Sequence, residues 1–215
     1  MYDFSVPMAL VDYIPVFLFL AAAVILQRDL YSRMSKGCFA LFAAGTIDIF
    51  VAGFFQATWK LLYAAGVCDF RALNTFFLPA QSLGFLLAGI AVVAMLCAKQ
   101  KEPGETRVRS LGVTSAAAPA LFSGSMIFIS MMVLGLGAIC AGLSVLAARL
   151  RKKGAIPFFI LSFVCCMGMG YLSSRDATQA SVNWIEQGVN IAAQLCMLAG
   201  TLMLHKSGLG LHEAE

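Results

Sequence analysis

The residues best suited to chemistry in this chain sit where lipid makes them most costly. Asp48 lies in CFALFAAGTIDIFVAGFFQATWKLLY, about ten residues from either edge of an apolar run, and an ionisable group that deep is a functional candidate by default. At roughly 100° per residue it shares a face with Gly45, Ala52, Gln56, Trp59 and Tyr63. An acid among small residues, followed by an amide and two aromatic rings, suits a pocket for a small cationic or aromatic molecule. The structural alternative is a carboxylate bonded to a neighbouring helix, or paired with a lysine such as Lys60 whose stem snorkels outward.

A second set comes from NWIEQGVNIAAQL, Asn183 to Leu195. Asn183, Glu186, Gln187, Asn190 and Gln194, then Thr201 and His205, fall in one sector about 100° wide, and Ile, Ala, Leu, Cys and Met fill the rest. An unpaired amide or carboxyl in hydrocarbon costs several kcal/mol, so this stripe has to meet other helices or a watered cavity. As hydrogen-bonding glue between helices each amide would contribute ~0.6 to 2 kcal/mol. A third run places Asn74 and Gln81 on one face, with Pro79 just ahead of Gln81, where it kinks the helix or frees a carbonyl for a ligand. Asp48, Gln56, Trp59, Gln81, Glu186, Gln187, Asn190 and Gln194 therefore form the expected ligand-binding set. Asp48 would be its counter-charge, with Glu186 and Gln187 near the mouth.

The elements that must position these residues are transmembrane helices. Of 215 residues, 60% are hydrophobic and only 12% charged, with a mean hydropathy of +0.86, well beyond what a soluble core needs. A crossing needs roughly 20 apolar residues, and six such runs occur: Met8 to Leu26, Cys38 to Leu62, Asn74 to Ala98, Ser123 to Ala148, Ala155 to Leu172 and Asn183 to His205. None shows the alternation of a barrel strand. The expectation is an all-α, multi-pass integral membrane protein of the cell membrane, a bundle of six helices. It divides into a three-helix unit (1–98), a polar linker (99–122), a second three-helix unit (123–206) and a flexible tail (207–215).

Two blocks support such a repeat. VILQRDLYSRMSKGCFALFAAG resembles LSVLAARLRKKGAIPFFILSF, and PAQSLGFLLAGIAVVAMLCAK resembles IEQGVNIAAQLCMLAGTLMLHK. Three helices per unit, joined directly, would invert one half relative to the other. Charge bias does not choose an orientation for six crossings, because the basic loops KQKEPGETRVR and RLRKK then fall on opposite faces. A seventh short or re-entrant segment between them, in a 3+1+3 layout with the C-terminus inside, is the alternative.

Several activities are excluded by what the chain lacks. Its two histidines lie at the C-terminal end, which removes the usual Ser-His or Cys-His nucleophile and a histidine-rich metal or haem site. No HExxH, GxSxG, phosphate-cradling glycine loop or arginine ladder occurs, and the seven cysteines form no CxxC pair. No cofactor, metal or nucleic acid is expected. The partners are the lipid bilayer, a small-molecule ligand, and a second copy or another membrane protein. Binding or transport of a small molecule between the second, third and sixth spans is the leading reading. A non-catalytic sensor or assembly partner is the alternative, and a carboxylate enzyme built on Asp48 and Glu186 a further one.

Overall fold

The computed structural model describes residues 5–98, 125–173 and 180–209. In hydrocarbon every backbone N–H and C=O must be satisfied within the segment, and the described elements are accordingly all helical. A short α1 (Val6–Val11) is capped by Ser5, whose Oγ accepts from the Met8 N–H at 3.4 Å, and leads through Asp12 into α2 (Tyr13–Leu30). Ser35 caps α3 (Lys36–Ala64) in the same way, accepting from the Cys38 N–H, and Gly66 stops it with a left-handed φ of +67°. α4 (Arg71–Cys97) continues through Pro79. α5 (Ser125–Arg149) turns through a 3-10 segment (Lys153–Ala155) into α6 (Ile156–Ser173), and α7 (Ala180–Lys206) ends the bundle. Six helices, counting α1 and α2 together, are long and apolar enough to cross a membrane. They support a multi-pass membrane protein, with spans within a few residues of the expected ones. The expected linker, at 99–122, lies outside the described residues.

Each helix packs on its neighbours in sequence, and α7 returns to α2, so the six form a closed ring. Side chains register the members. Tyr13 meets Thr58 and Gln27 meets Thr46, so α2 and α3 are antiparallel. Gly45 meets Ala88 and Gly84 meets Ile49, so α3 and α4 are antiparallel too. The next pair breaks the alternation: Gly89 meets Gly135 while Gly142 meets Val92 and Leu96, a register only parallel helices give. α5 with α6, and α6 with α7, are again antiparallel, through Gly137 on Phe163 and Gly200 on Phe159. At the ring closure Asp29 bonds His205, setting the C-terminal ends of α2 and α7 together.

Two consequences follow from these directions. Cys97 and Ser125 lie at opposite ends of the bundle, and both halves, α2 to α4 and α5 to α7, run in the same sense. The expectation that a three-helix repeat would be inverted is therefore corrected. Inversion presumes antiparallel α4 and α5, whereas their glycines pack them side by side in one direction.

The closest approaches are at glycine. A Cβ on Gly45 would lie 2.5 Å from the Gly84 carbonyl oxygen, and one on Gly135 would overlap the backbone of Phe85 and Leu86. Lipid is as apolar as leucine, so such pairs depend on dispersion at short range, which only small residues permit. Gly168 has nothing near its Cβ position. Gly135→Ala and Gly45→Ala should each lower the unfolding temperature in detergent, at a cost of about 1–3 kcal/mol, while Gly168→Ala should be neutral or stabilising. Equal effects at all three positions would refute the seams.

Candidate functional site

The described Lys and Arg residues are divided unequally between the two ends of the ring. Arg28, Arg33, Lys36, Arg149, Arg151, Lys152, Lys153 and Lys206 lie at one end, where α2, α5 and α7 finish and α3 and α6 begin. Lys60 and Arg71 lie toward the other. At the basic end Asp29, only 2% exposed, has an Oδ2 2.8 Å from His205 Nδ1. Arg28 donates to His205 Nε2 at 2.9 Å, which leaves the ring's Nδ1–H for the carboxylate. Arg33 Nε donates to the Leu209 carbonyl at 2.9 Å, and Leu209 is buried, so the start of the expected tail is held against α2. Beside this clamp an open groove of about 360 Å³ is lined by Val24, Gln27, Arg28, Tyr31 and Phe39.

The middle of the ring is apolar. Phe19, Phe42, Phe85, Ile139 and Met197 close on a cavity of about 20 Å³, room for one water at most. The hydroxyl facing it, on Thr46, donates to the Phe42 carbonyl and accepts from Gln27 at 2.7 Å.

The opposite end is polar and partly buried. Asp12, 7% exposed, pairs with Lys60 at 2.9 Å, and Tyr13 bonds Thr58 at 2.9 Å. Lys60 thus answers Asp12 and not Asp48, because α1 and α2 bring Asp12 to the same depth on the neighbouring helix. Trp59 is buried and donates its indole N–H to Asp69 at 3.0 Å, with Arg71 on the other carboxylate oxygen at 2.8 Å. On α7, Asn183 and Gln187 are each 6% exposed, and Glu186 and Asn190 half-buried. The parallel register that sets Asp29 beside His205 puts Gln187 level with Asp12. Its Oε1 is buried without a hydrogen-bond partner among the described residues.

The expected site residues divide accordingly. Gln56, Trp59, Glu186, Gln187 and Asn190 belong to this polar end. Gln81 and Gln194, both half-buried, lie further in, Gln81 opposite Ala52 by the α3/α4 register. Asp48 is nearer the middle, level with Phe85, half-buried, with no hydrogen-bond or ion-pair partner among the described residues. By these registers Asp48 and Glu186 are about 20 Å apart along the axis, too far to act on one bond. Sequence reasoning missed Asp12, Asp29 and Arg28. Their only local signal is an acid bounded by apolar residues, as in LVDYI and ILQRDL. No group of three metal-ligating side chains occurs among the described residues. No family model, curated protein or solved structure matches the chain.

The Arg71 guanidinium, and then the Trp59 indole N–H, hold the Asp69 carboxyl below its ordinary value of 3.8. A depressed carboxylate contributes at pH above that value and loses the contribution as pH falls through its folded pKa. In a Trp184→Phe background, Trp59 emission should therefore be constant from neutral pH down to about 4 and change below it. Asp69→Asn should show the acid-form emission already at pH 7, and unchanged emission in that variant would remove Asp69 as the partner.

Proposed function

We propose that the protein captures a small molecule at the polar end of its ring, as a permease or a substrate-binding membrane subunit. The observation that carries this is Gln187, a buried amide whose carbonyl oxygen has no hydrogen-bond partner among the described residues. A buried acceptor without a donor costs ~1–3 kcal/mol, and a ligand N–H or O–H would recover it. Gln187 stands level with the Asp12 and Lys60 pair, on the end that also carries Trp59 and Tyr63, so a cationic or aromatic molecule with hydrogen-bond donors fits best. Glu186 and Asn190 lie on the same stripe, within a turn of it. Transport past this end would require the aromatic layer of Phe19, Phe42 and Phe85 to part.

We also infer that the polar end faces outward. Eight of the ten described Lys and Arg residues gather at the other end, the bias that marks a cytoplasmic face. Parallel α4 and α5, with Ser5 and Leu209 toward opposite ends of the described bundle, support an odd number of crossings and the 3+1+3 layout. The repeated blocks agree with it. They equate α2 with α5, α3 with α6 and α4 with α7, as two halves related by an axis along the membrane normal would require.

A thermal-stability screen of the purified protein against amines, aromatic cations, amino acids, nucleosides and vitamins tests the first reading. A ligand at a hundred times its Kd should stabilise wild type by about 2.7 kcal/mol, and the gain should vanish in Gln187→Leu, whose unliganded stability is equal or higher. If no compound shifts the wild type, or the shift survives in Gln187→Leu, the reading fails. For orientation, reporters fused at Met1 and at Glu215 should read outside and inside respectively, and two reporters on one side would overturn it.

A further inference from the structure

Asp48 stands apart from both polar ends. It lies twelve residues inside the start of α3 and sixteen from its end, the depth at which a lone carboxylate is most unfavourable in lipid. None of the described residues bonds or pairs with it, and the nearest lysine on α3, Lys60, is engaged by Asp12 more than three turns away. Nor can it turn inward. One turn before it, Gly45 and Gly84 bring α3 and α4 into backbone contact, and Ile49 packs on Gly84 just after it, so the seam beneath the carboxylate is closed.

Asp48, half-buried at the edge of this seam, borders an exposed strip of α3. Gly37, Ala40 and Ala44 lie along the same side of α3, all exposed, and a Cβ on Gly37 would meet nothing within 4 Å. Two turns beyond Asp48 on this face, Phe55 is 36% exposed and packs on Phe76 of α4, which is 46% exposed, with ring centroids 6.0 Å apart. Small residues on an exposed transmembrane face let a second backbone approach closely, and an acid at the end of the stripe calls for a cation at the same depth. The described residues of a second copy do not supply one. Its described Lys and Arg residues lie toward the helix ends, and a two-fold contact on this face would oppose Asp48 to itself. Lipid headgroup cations stay at the interface, far from mid-depth.

We propose that this face of α3 docks a single transmembrane helix of another protein, packed over Gly37, Ala40 and Ala44, with a mid-depth Lys or Arg pairing with Asp48. The site is independent of the ligand end and survives or fails without it.

The full chain, labelled and reconstituted in liposomes, would be titrated by energy transfer with synthetic single-span leucine-alanine helices bearing one central Lys, Leu or Glu. The Lys helix should associate about tenfold more tightly than the Leu helix, and the Glu helix no better than Leu. Asp48→Leu should abolish the Lys advantage. Ala44→Leu, which keeps the carboxylate but fills the stripe, should weaken the Lys helix as well. Equal binding of the Lys and Leu helices would overturn the proposal. So would a Lys advantage that persists in Asp48→Leu, or self-association of the chain that Asp48→Leu removes.

Discussion

Lipid gives two apolar helices no hydrophobic reason to associate, because the acyl chains they displace are as oily as their own side chains. What holds this ring together is therefore short-range contact, and short range is available only where a residue has almost no side chain. Gly45 with Gly84, and Gly89 with Gly135, place α3, α4 and α5 backbone against backbone. Their large residues point elsewhere, Ile47, Ile90, Val93 and Leu134 into lipid and Phe42, Phe85 and Val92 into the interior. The direction of each helix follows from which glycines meet, and so does the parallel pair at the centre of the chain.

Close packing also governs where polarity can go. Tight seams and a core of Phe, Ile and Met leave little space in the middle, where Gln27 is satisfied by Thr46 while the buried hydroxyls of Ser162 and Thr201 have no partner among the described residues. The two ends differ in kind. The basic one is locked: Asp29, His205, Arg28 and Arg33 join the ends of α2 and α7 and close the ring. The opposite one is only partly satisfied. Asp12 pairs with Lys60, while the Gln187 carbonyl oxygen has no hydrogen-bond partner among the described residues. Asp48 is the exception at mid-depth, half-buried beside the closed α3/α4 seam with no partner among the described residues.

Much of this was legible one helix at a time. The α7 stripe turned out to contain buried Asn183 and Gln187, as an angular sector of amides demands, and the six spans lie where hydropathy puts them. Trp59 is buried and bonded to Asp69, a partner beyond the end of its own helix that no helical pattern announces. Lys60 was offered to Asp48 because both lie on α3; three-dimensional packing gives it Asp12. Asp29 and His205 are 176 residues apart, and nothing in either neighbourhood announces the other.

The chain by itself determined that it lives in a membrane, how many long helices it can place there, and which sector of each is polar. These are sums over one helix, of transfer energies and of 3.6-residue geometry, and need no knowledge of neighbours. Only the tertiary structure decided that α4 and α5 run together, that α7 closes on α2, and that Asp48 is left half-buried while Gln187 is buried. Those outcomes depend on which small-residue faces fit one another at close range. That is a property of two surfaces at once, and hydropathy, which scores each helix alone against lipid, is blind to it.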